Sequence, residues 1–143
     1  MPTVTRAQVL TVLQQDWGAY VPRFQSLPPE TQAEVLRHQG YARLADLLAH
    51  IIAWWREGQQ MVAQWLLDPT LEEPHYDVDA FNAQAVARFA QADEADVLRT
   101  FEETRLAWLA LVNRLPNEFF NSPKQADRLH IEIIGHLAEH ALP

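Results

Sequence analysis

Two histidines stand one helical turn apart near the end of the chain. His136 and His140 enclose the residues Leu137-Ala138-Glu139, and a separation of four places both imidazoles on the same side of a helix. Two rings so placed can hold one metal ion, although the same spacing is common on solvated helix faces. The pair is therefore a candidate metal site, with two unrelated surface histidines as the alternative.

A third histidine lies at the same kind of position on another predicted helix. His50 falls about 90° from the centre of the apolar stripe of its helix, on the side that carries Trp54. His136 and His140 fall about 50 to 90° from the centre of their own stripe. All three side chains can lean inward from the edge of a core, which favours one shared site for His50, His136 and His140.

Three carboxylates share the helix edges with these histidines. Asp46 and Glu57 flank His50 at one turn and two turns, and Glu132 precedes His136 by one turn. Such groups can orient a metal-bound imidazole through its second nitrogen, complete the ligand set, or act as a base on bound water. Each can equally be an ordinary surface charge. Glu57 and Asp46 are the candidate catalytic residues.

The remaining histidines and the tryptophans have simpler structural interpretations. His130 lies nearer the middle of the apolar stripe of the last helix and is the strongest rival as a ligand, with a hydrogen-bonded core histidine as the alternative. His38 and His75 fall in predicted loop or helix-end segments. The tryptophans are predicted to fill the core, except Trp54, which could wall a pocket over an ion beside His50.

The composition and the placement of the prolines predict that helices position these residues. The chain has only four glycines, lacks the alternation typical of strands, and is rich in helix-forming residues. Prolines disfavour helix at the residue before them. Four long helices with short connections predict an all-α four-helix bundle, with an additional short helix before the third long helix. The predicted segments are a helix from Thr5 to Pro28-Pro29, kinked or loosened at Pro22; a short piece from Glu30 to Arg37; a helix from about Arg43 to Leu67; a loop over 68–77; a helix capped by Asp77 or Asp79 and ending at Phe89; a helix from Glu94 to Leu115; and a last helix from Ser122-Pro123 to the C-terminus.

Bulk properties restrict the class of protein. The 143 residues, 48% of them hydrophobic, suffice for one core and predict a single domain over 1–143. Because cysteine is absent, disulfides, thiolate ligands and a cysteine nucleophile are excluded. A net charge of −8 with scattered basic residues argues against nucleic acid as a partner. No secretory signal or bilayer-length apolar run is visible, so we expect a cytoplasmic protein whose partner is a small molecule rather than a membrane.

The histidine segments resemble a known group of four-helix proteins. Residues 44–54, Leu-Ala-Asp-Leu-Leu-Ala-His-Ile-Ile-Ala-Trp, resemble the second-helix signature of the DinB-like (YfiT-like) superfamily, in which an Asp-Leu-Leu-x-His-Leu pattern carries the first metal-ligand histidine. Residues 136–140 are similar to the closing motif that supplies the other two. The resemblance spans nearly the whole chain and implies a DinB-like bundle with His50, His136 and His140 as metal ligands.

Within that superfamily the sequence most resembles the ClbS/DfsB group. Leu137 and Ala138 stand where that group has a Tyr-Pro pair, and the segment before His136 lacks the group's usual polar residues. The resemblance makes Asn82, together with Trp54, a candidate for binding a cofactor or substrate in a pocket. The matching stretches, besides 136–140, are Val78-Asp79-Ala80-Phe81-Asn82, Asp96-Val97-Leu98 and Leu115-Pro116-Asn117-Glu118.

The resemblance also implies cofactors and an assembly. The histidine triad of the superfamily binds nickel, zinc or a similar divalent ion, often in a homodimer. Its members include thiol-dependent transferases that use bacillithiol, mycothiol or glutathione, and a colibactin-resistance protein that opens a cyclopropane ring by hydrolysis. The implied cofactors are a divalent metal ion and, for a transferase, a low-molecular-weight thiol.

Three functional hypotheses follow from the sequence. The leading one is a metal-dependent hydrolase or thiol transferase that acts on a small electrophilic molecule, as in detoxification or resistance. In it the three histidines hold the ion and leave positions for water or a thiolate. The second is a metal-independent ClbS-like hydrolase in which Asn82, Tyr41 and Trp54 position substrate and water. The third is a non-enzymatic, ligand-binding bundle whose histidines are structural.

Overall fold

The computed structural model describes residues 4–143, and all regular structure in them is helical. The helices are α1 over residues 6–26, α2 Pro29–Gln39, α3 Leu44–Leu67, α4 Val78–Arg88, α5 Glu94–Arg114, α6 Asn117–Asn121 and α7 over 123–139. The long helices α1, α3, α5 and α7 pack together, α3 along α5 and α1 against both α5 and α7. This confirms the predicted all-α bundle. Within the described range, no helix is long and apolar enough to cross a membrane.

Several helix ends carry the signals that the sequence indicated. Thr5 Oγ1 accepts from the Gln8 amide at 3.2 Å while Gln8 Oε1 accepts from the Thr5 amide at 2.9 Å, which forms a capping box. Of the two aspartates proposed as caps of α4, Asp77 is the cap, since its Oδ1 accepts from the Ala80 amide at 3.1 Å. Gly40 ends α2 at φ 85°, a conformation that favours glycine.

Pro22 lies inside α1, which continues past it as predicted. Two features of the helices differ from the prediction. A short helix, α6, follows Pro116 where the sequence indicated only a connection, and the burial of Phe119 and Phe120 gives that turn a place in the core. The last helix ends at Glu139 rather than at the C-terminus, which leaves His140 as its C-cap.

Two of the long helices contain a π-helical turn that the 3.6-residue pattern did not predict. One covers Val12–Asp16 in α1 and the other His130–Gly135 in α7. The change from i+4 to i+5 bonding leaves main-chain carbonyls without their usual donors. Side chains of neighbouring helices bond to these carbonyls and stabilise the turns. Trp17 Nε1 donates to Ile133 O at 2.8 Å, Trp55 Nε1 to Glu132 O at 2.8 Å, and Arg105 Nη1 to Leu13 O at 2.9 Å.

The core is built around tryptophan. Trp17 meets Trp55 edge to face, with ring centroids 4.9 Å apart, an arrangement that aromatic pairs prefer. Trp65 and Trp108 are also buried, as the sequence predicted, whereas Trp54 is only partly buried. Four tryptophans therefore fill the interior and Trp54 is left at its edge.

Candidate metal centre

Three histidines from two helices meet at one place. His50 comes from the first half of α3, whereas His136 and His140 come from the last turn of α7 and its C-cap. One ring nitrogen of each lies within 4.8 Å of those of the other two, and the ring centroids are 5.2 to 5.5 Å apart. All three are buried. The structure thus brings together the side chains that the sequence selected as metal ligands.

The hydrogen bonds around His50 fix which of its nitrogens carries the proton. Asn82 of α4 places one side-chain atom 2.8 Å from His50 Nδ1 and 2.7 Å from Trp54 Nε1. An indole N–H can only donate, so this shared atom must be the carbonyl oxygen of Asn82. His50 Nδ1 must then also donate to it. The lone pair of His50 is therefore on Nε2.

His136 is oriented by the main chain of its own helix. Its Nδ1 lies 3.2 Å from the main-chain oxygen of Glu132, and because a carbonyl oxygen can only accept, Nδ1 donates. The same oxygen accepts from the Trp55 indole within the π turn. The π turn thus takes part in setting the orientation of this ring.

His140 is oriented through Gln39. Its Nδ1 lies 2.6 Å from Gln39 Oε1, and because an amide oxygen can only accept, Nδ1 donates. The Tyr20 hydroxyl donates to the main-chain oxygen of His140 at 2.7 Å, so α1 also holds this end of α7.

All three imidazoles consequently offer Nε2 as a free acceptor. His140 Nε2 is enclosed and has no hydrogen-bond partner among residues 4–143, which is uncommon for a buried polar atom. Burial lowers the pKa of all three histidines, to about 3 for His136 and to about 4 for His140. Repulsion by the neighbouring rings adds to the shifts of His136 and His140. Neutral imidazole is the form of histidine that binds metal ions.

Without a bound ion, the fold is expected to be most stable near pH 6.5. Below about pH 6.5 an unfolded chain protonates His136 and His140 while the folded protein does not, so stability is lost as the pH falls. Burial raises the pKa of Glu132 to about 8, so above pH 6.5 the unfolded chain has released a proton that the folded protein keeps, and stability falls as the pH rises. Below pH 6.5 the unfolded chain binds two more histidine protons and one fewer carboxyl proton than the folded protein, a net difference of one proton. Above pH 6.5 it binds one fewer carboxyl proton. The free energy of unfolding therefore falls by about 1 kcal/mol per pH unit in each direction.

Urea unfolding in the presence of a chelator, at pH values of about 5, 6.5 and 8, measures this curve. The variant Glu132→Gln is expected to steepen the acid side and to abolish the fall above pH 6.5. A free energy of unfolding that continues to rise to pH 8 in the unaltered protein would contradict these pKa shifts.

A cavity of about 350 Å³ opens beside the histidines, a volume at the lower end of those that bind small molecules. His50 and His136 form part of its wall, as do both pocket candidates, Trp54 and Asn82. The remaining wall comes from the 68–77 loop, the first residue of α4, and α7. A molecule in the cavity would lie next to the histidine cluster.

Glu132 places a carboxyl group at the base of this cavity. Its side chain is 2% exposed, and none of the described residues hydrogen-bonds to its Oε2. The carboxyl lies against Gly58 of α3, where a Cβ would overlap Oε2, so glycine leaves the room that the carboxyl occupies. Burial is the main cause of its raised pKa, and the nearby charge of Arg128 opposes the shift.

Polar contacts hold the 68–77 loop over the cavity. Arg128 of α7 is 5% exposed and donates from Nη1 to Glu73 Oε2 at 2.7 Å. Two turns from His50 on α3, Glu57 accepts from the Tyr76 hydroxyl at 3.0 Å. The loop therefore contributes Glu73 and Tyr76 to the cavity wall.

The carboxylates considered from the sequence occupy different places. Asp46 pairs with Arg43 at 2.7 Å, and Glu57 bonds to Tyr76. Neither of these two catalytic candidates lines the cavity, whereas Glu132 does. Glu132 is therefore the carboxyl that a molecule in the cavity would meet.

The other side chains weighed from the sequence lie around or away from the cluster. Tyr41 is a neighbour of His50, with ring centroids 5.6 Å apart. The prediction that His130 lies near the middle of the apolar face is wrong, because the π turn that begins there shifts the helix phase, and His130 is only partly buried in a depression beside α1. His38 and His75 are exposed.

Three contributors to the site were missed by the sequence reasoning. Gln39 acts on a histidine 101 residues away, and nothing local to α2 indicates such a partner. Glu73 lies in a loop whose path depends on the fold. Arg128 stands one turn before Glu132, and this opposite charge at i,i+4 was the one available signal.

Comparison of this chain with protein-family models, with curated proteins and with solved structures finds no match.

Proposed function

We propose that this protein is a divalent-metal-dependent enzyme of the DinB-like type, with His50, His136 and His140 as ligands of the ion. The observation that carries the proposal is the meeting of three buried imidazoles whose Nδ1 atoms are each committed to an oxygen acceptor. Contacts of this kind fix the tautomer and orientation of metal-binding histidines. Histidines kept only for packing would have no need of three unused acceptors in one place.

The donor set suits zinc, nickel or a similar ion. Imidazole nitrogens are typical ligands of these metals, whereas calcium and magnesium prefer oxygen. Nitrogens at about 2.0 to 2.1 Å from a tetrahedral ion lie about 3.3 Å from one another. One ring nitrogen of each histidine lies within 4.8 Å of those of the other two, and modest ring rotations would bring them to this shorter distance.

The place of the cluster in a cavity wall supports an enzyme rather than a structural metal site. Three protein ligands leave positions for water or a thiolate, and the ion would lower the pKa of either. We therefore infer hydrolysis of a small electrophilic molecule, or transfer of a low-molecular-weight thiol to it, as in detoxification or resistance. The cavity volume of about 350 Å³ restricts the substrate to a small molecule.

The metal-independent alternative receives less support from Asn82. That hypothesis needs this side chain to position substrate or water. Its oxygen already accepts from both His50 and Trp54, so only its amino group is left for a ligand.

Metal binding is the direct test. Protein purified without metal-affinity chromatography and stripped with a chelator is titrated with Zn²⁺ and Ni²⁺ by calorimetry. We expect one ion per chain and, at a free ion concentration of about 100 times Kd, a gain of about 3 kcal/mol in stability. The absence of both a binding heat and a rise in melting temperature would overturn the proposal.

Activity is tested on the same preparations. Thiol consumption with glutathione or bacillithiol, and hydrolysis without thiol, are followed against a panel of small epoxides and alkyl halides. We expect activity only after the ion is restored. Turnover that survives metal removal would favour the metal-independent hydrolase instead.

A further inference from the structure

We propose that the cavity beside the histidines binds the ammonium group of a small organic amine on Glu132, with the apolar part of the amine held by the aromatic and aliphatic wall. As a statement about the substrate of the enzyme, this rests on the function proposed above. As a statement about binding, it depends on the cavity alone and is tested without an ion.

The polar end of this subsite is the Glu132 carboxyl. It is 2% exposed and its Oε2 has no partner in the part of the chain that the structure describes. Leaving a buried carboxyl without hydrogen bonds is unfavourable, yet the fold makes room for it by placing Gly58 where any Cβ would overlap it. Oε2 itself is enclosed, so a ligand would donate to the carboxyl group from the side that lines the cavity, and this contact would offset part of the unfavourable term.

The wall next to the carboxyl is aromatic. Trp54 and Tyr76 both line the cavity and meet edge to face, with centroids 5.1 Å apart. The faces of such rings attract cations. Trp54 is held by its hydrogen bond to Asn82 and by Phe81, whose ring centroid is 4.1 Å away. Arg128 already lies over the Tyr76 ring, 5.5 Å from its centroid, so Trp54 is the ring that would attract an ammonium group near Glu132 in addition to the carboxyl.

The charges of the lining favour a cation over an anion. Glu73 and Glu139 line the cavity in addition to Glu132, against one cationic residue, Arg128. Arg128 is already paired with Glu73 at 2.7 Å, so an anionic ligand would have to displace that carboxylate. The net charge of −8 over the chain also attracts cations at longer range.

The rim of the cavity is aliphatic. Val78 and Ile131 line it and are 52% and 51% exposed. Exposed apolar side chains at a cavity mouth are suited to cover the apolar part of a ligand. The Glu132 carboxyl group, the aromatic wall and the aliphatic rim together match a small amine with a hydrocarbon body.

The probe for this subsite is 2-phenylethylammonium, with 2-phenylethanol and 3-phenylpropanoate as neutral and anionic controls of similar shape. Titrations follow tryptophan fluorescence with a chelator present, at a pH above the Glu132 pKa of about 8, so that the carboxyl group is ionised. We expect saturable binding of the ammonium ion, binding of the alcohol weaker by about tenfold or more, and no binding of the carboxylate, because a charged hydrogen-bonded pair typically contributes a factor of ten or more.

Two matched variants locate the interaction. Glu132→Gln keeps the shape of the side chain without its charge and is expected to weaken ammonium binding by about tenfold or more while leaving the alcohol unaffected. Glu103→Gln removes a charge from the exposed face of α5 and is expected to change nothing. Should Glu132→Gln fail to fold, the comparison of ammonium with alcohol in the unaltered protein decides.

Equal binding of the ammonium ion and the alcohol, or ammonium binding that Glu132→Gln leaves unchanged, would overturn the proposal. Because the chelator removes any ion, that failure would leave the metal site standing. A protein that binds the ammonium ion but neither Zn²⁺ nor Ni²⁺ would retain the subsite and lose the metal-dependent enzyme.

Discussion

Replacing His136 by alanine is expected to weaken Zn²⁺ binding by about fiftyfold to a thousandfold. Structural zinc sites bind with about 10 to 16 kcal/mol in total, or about 2.5 to 4 kcal/mol for each of four ligands, and about 1.4 kcal/mol is a factor of ten. His136 is the ligand to remove first, because its Nδ1 bonds to the Glu132 main-chain oxygen, which also accepts from Trp55. Its loss leaves no buried side chain without a partner. Calorimetry and the thermal shift on adding Zn²⁺ both measure the effect.

His130→Ala is the matched control for this variant. It removes a histidine from the same helix that lies outside the cluster, so Zn²⁺ should bind as in the unaltered protein. Asn82→Leu keeps all three ligands but removes the acceptor of His50 Nδ1, and the loss of such an outer contact typically costs about 10- to 100-fold in affinity. Unchanged affinity in His136→Ala would contradict the three-histidine site.

Gly58→Ala is expected to destabilise the fold by about 1 kcal/mol. A methyl group at this position would overlap Glu132 Oε2 and lie 3.0 Å from its Cδ and Cγ. Forcing a group into filled space costs about 1 to 3 kcal/mol, and the better helix propensity of alanine offsets about 1 kcal/mol of that cost. For a chain of 143 residues the melting temperature should fall by about 3 °C.

Gly135 of α7 supplies the control for Gly58→Ala. At Gly135 a Cβ would lie an ordinary 3.5 Å from His130 O, so Gly135→Ala should be neutral or stabilising by up to about 1 kcal/mol. Adding Glu132→Ala to Gly58→Ala removes the overlapping carboxyl and should recover about 1 to 2 kcal/mol relative to additivity. Purely additive effects would show that Gly58 does not accommodate Glu132.

The helices were predictable because their signals are local. Proline pairs, the Thr5 capping box and the apolar stripes each act within a few residues, and the described bundle follows them closely. The positions of His50, His136 and His140 at the edges of apolar stripes follow from spacing within each helix. Their selection as one ligand set rested mainly on the resemblance of residues 44–54 and 136–140 to the DinB-like motifs.

The rest of the site depends on contacts between distant segments. Gln39, Asn82 and Glu73 reach the cluster or its cavity from three separate elements, and no local pattern encodes those approaches. The π turns were missed because their stabilisation comes from side chains on other helices, Arg105 for the turn in α1 and Trp17 and Trp55 for the turn in α7. Glu57 and Asp46 satisfied the spacing rule, yet neither side chain lines the cavity.

The π turn in α7 also makes the site tolerant of a change of one residue. Such a turn holds one residue more than the α-helical turn it replaces. Deleting a residue between 130 and 135 would therefore convert the π turn into an α-helical turn, and the residues that follow would keep nearly the same direction around the helix axis. His136 and His140 would still face His50. In an alignment of related chains, a one-residue gap in this stretch would therefore be compatible with an intact site where both histidines remain.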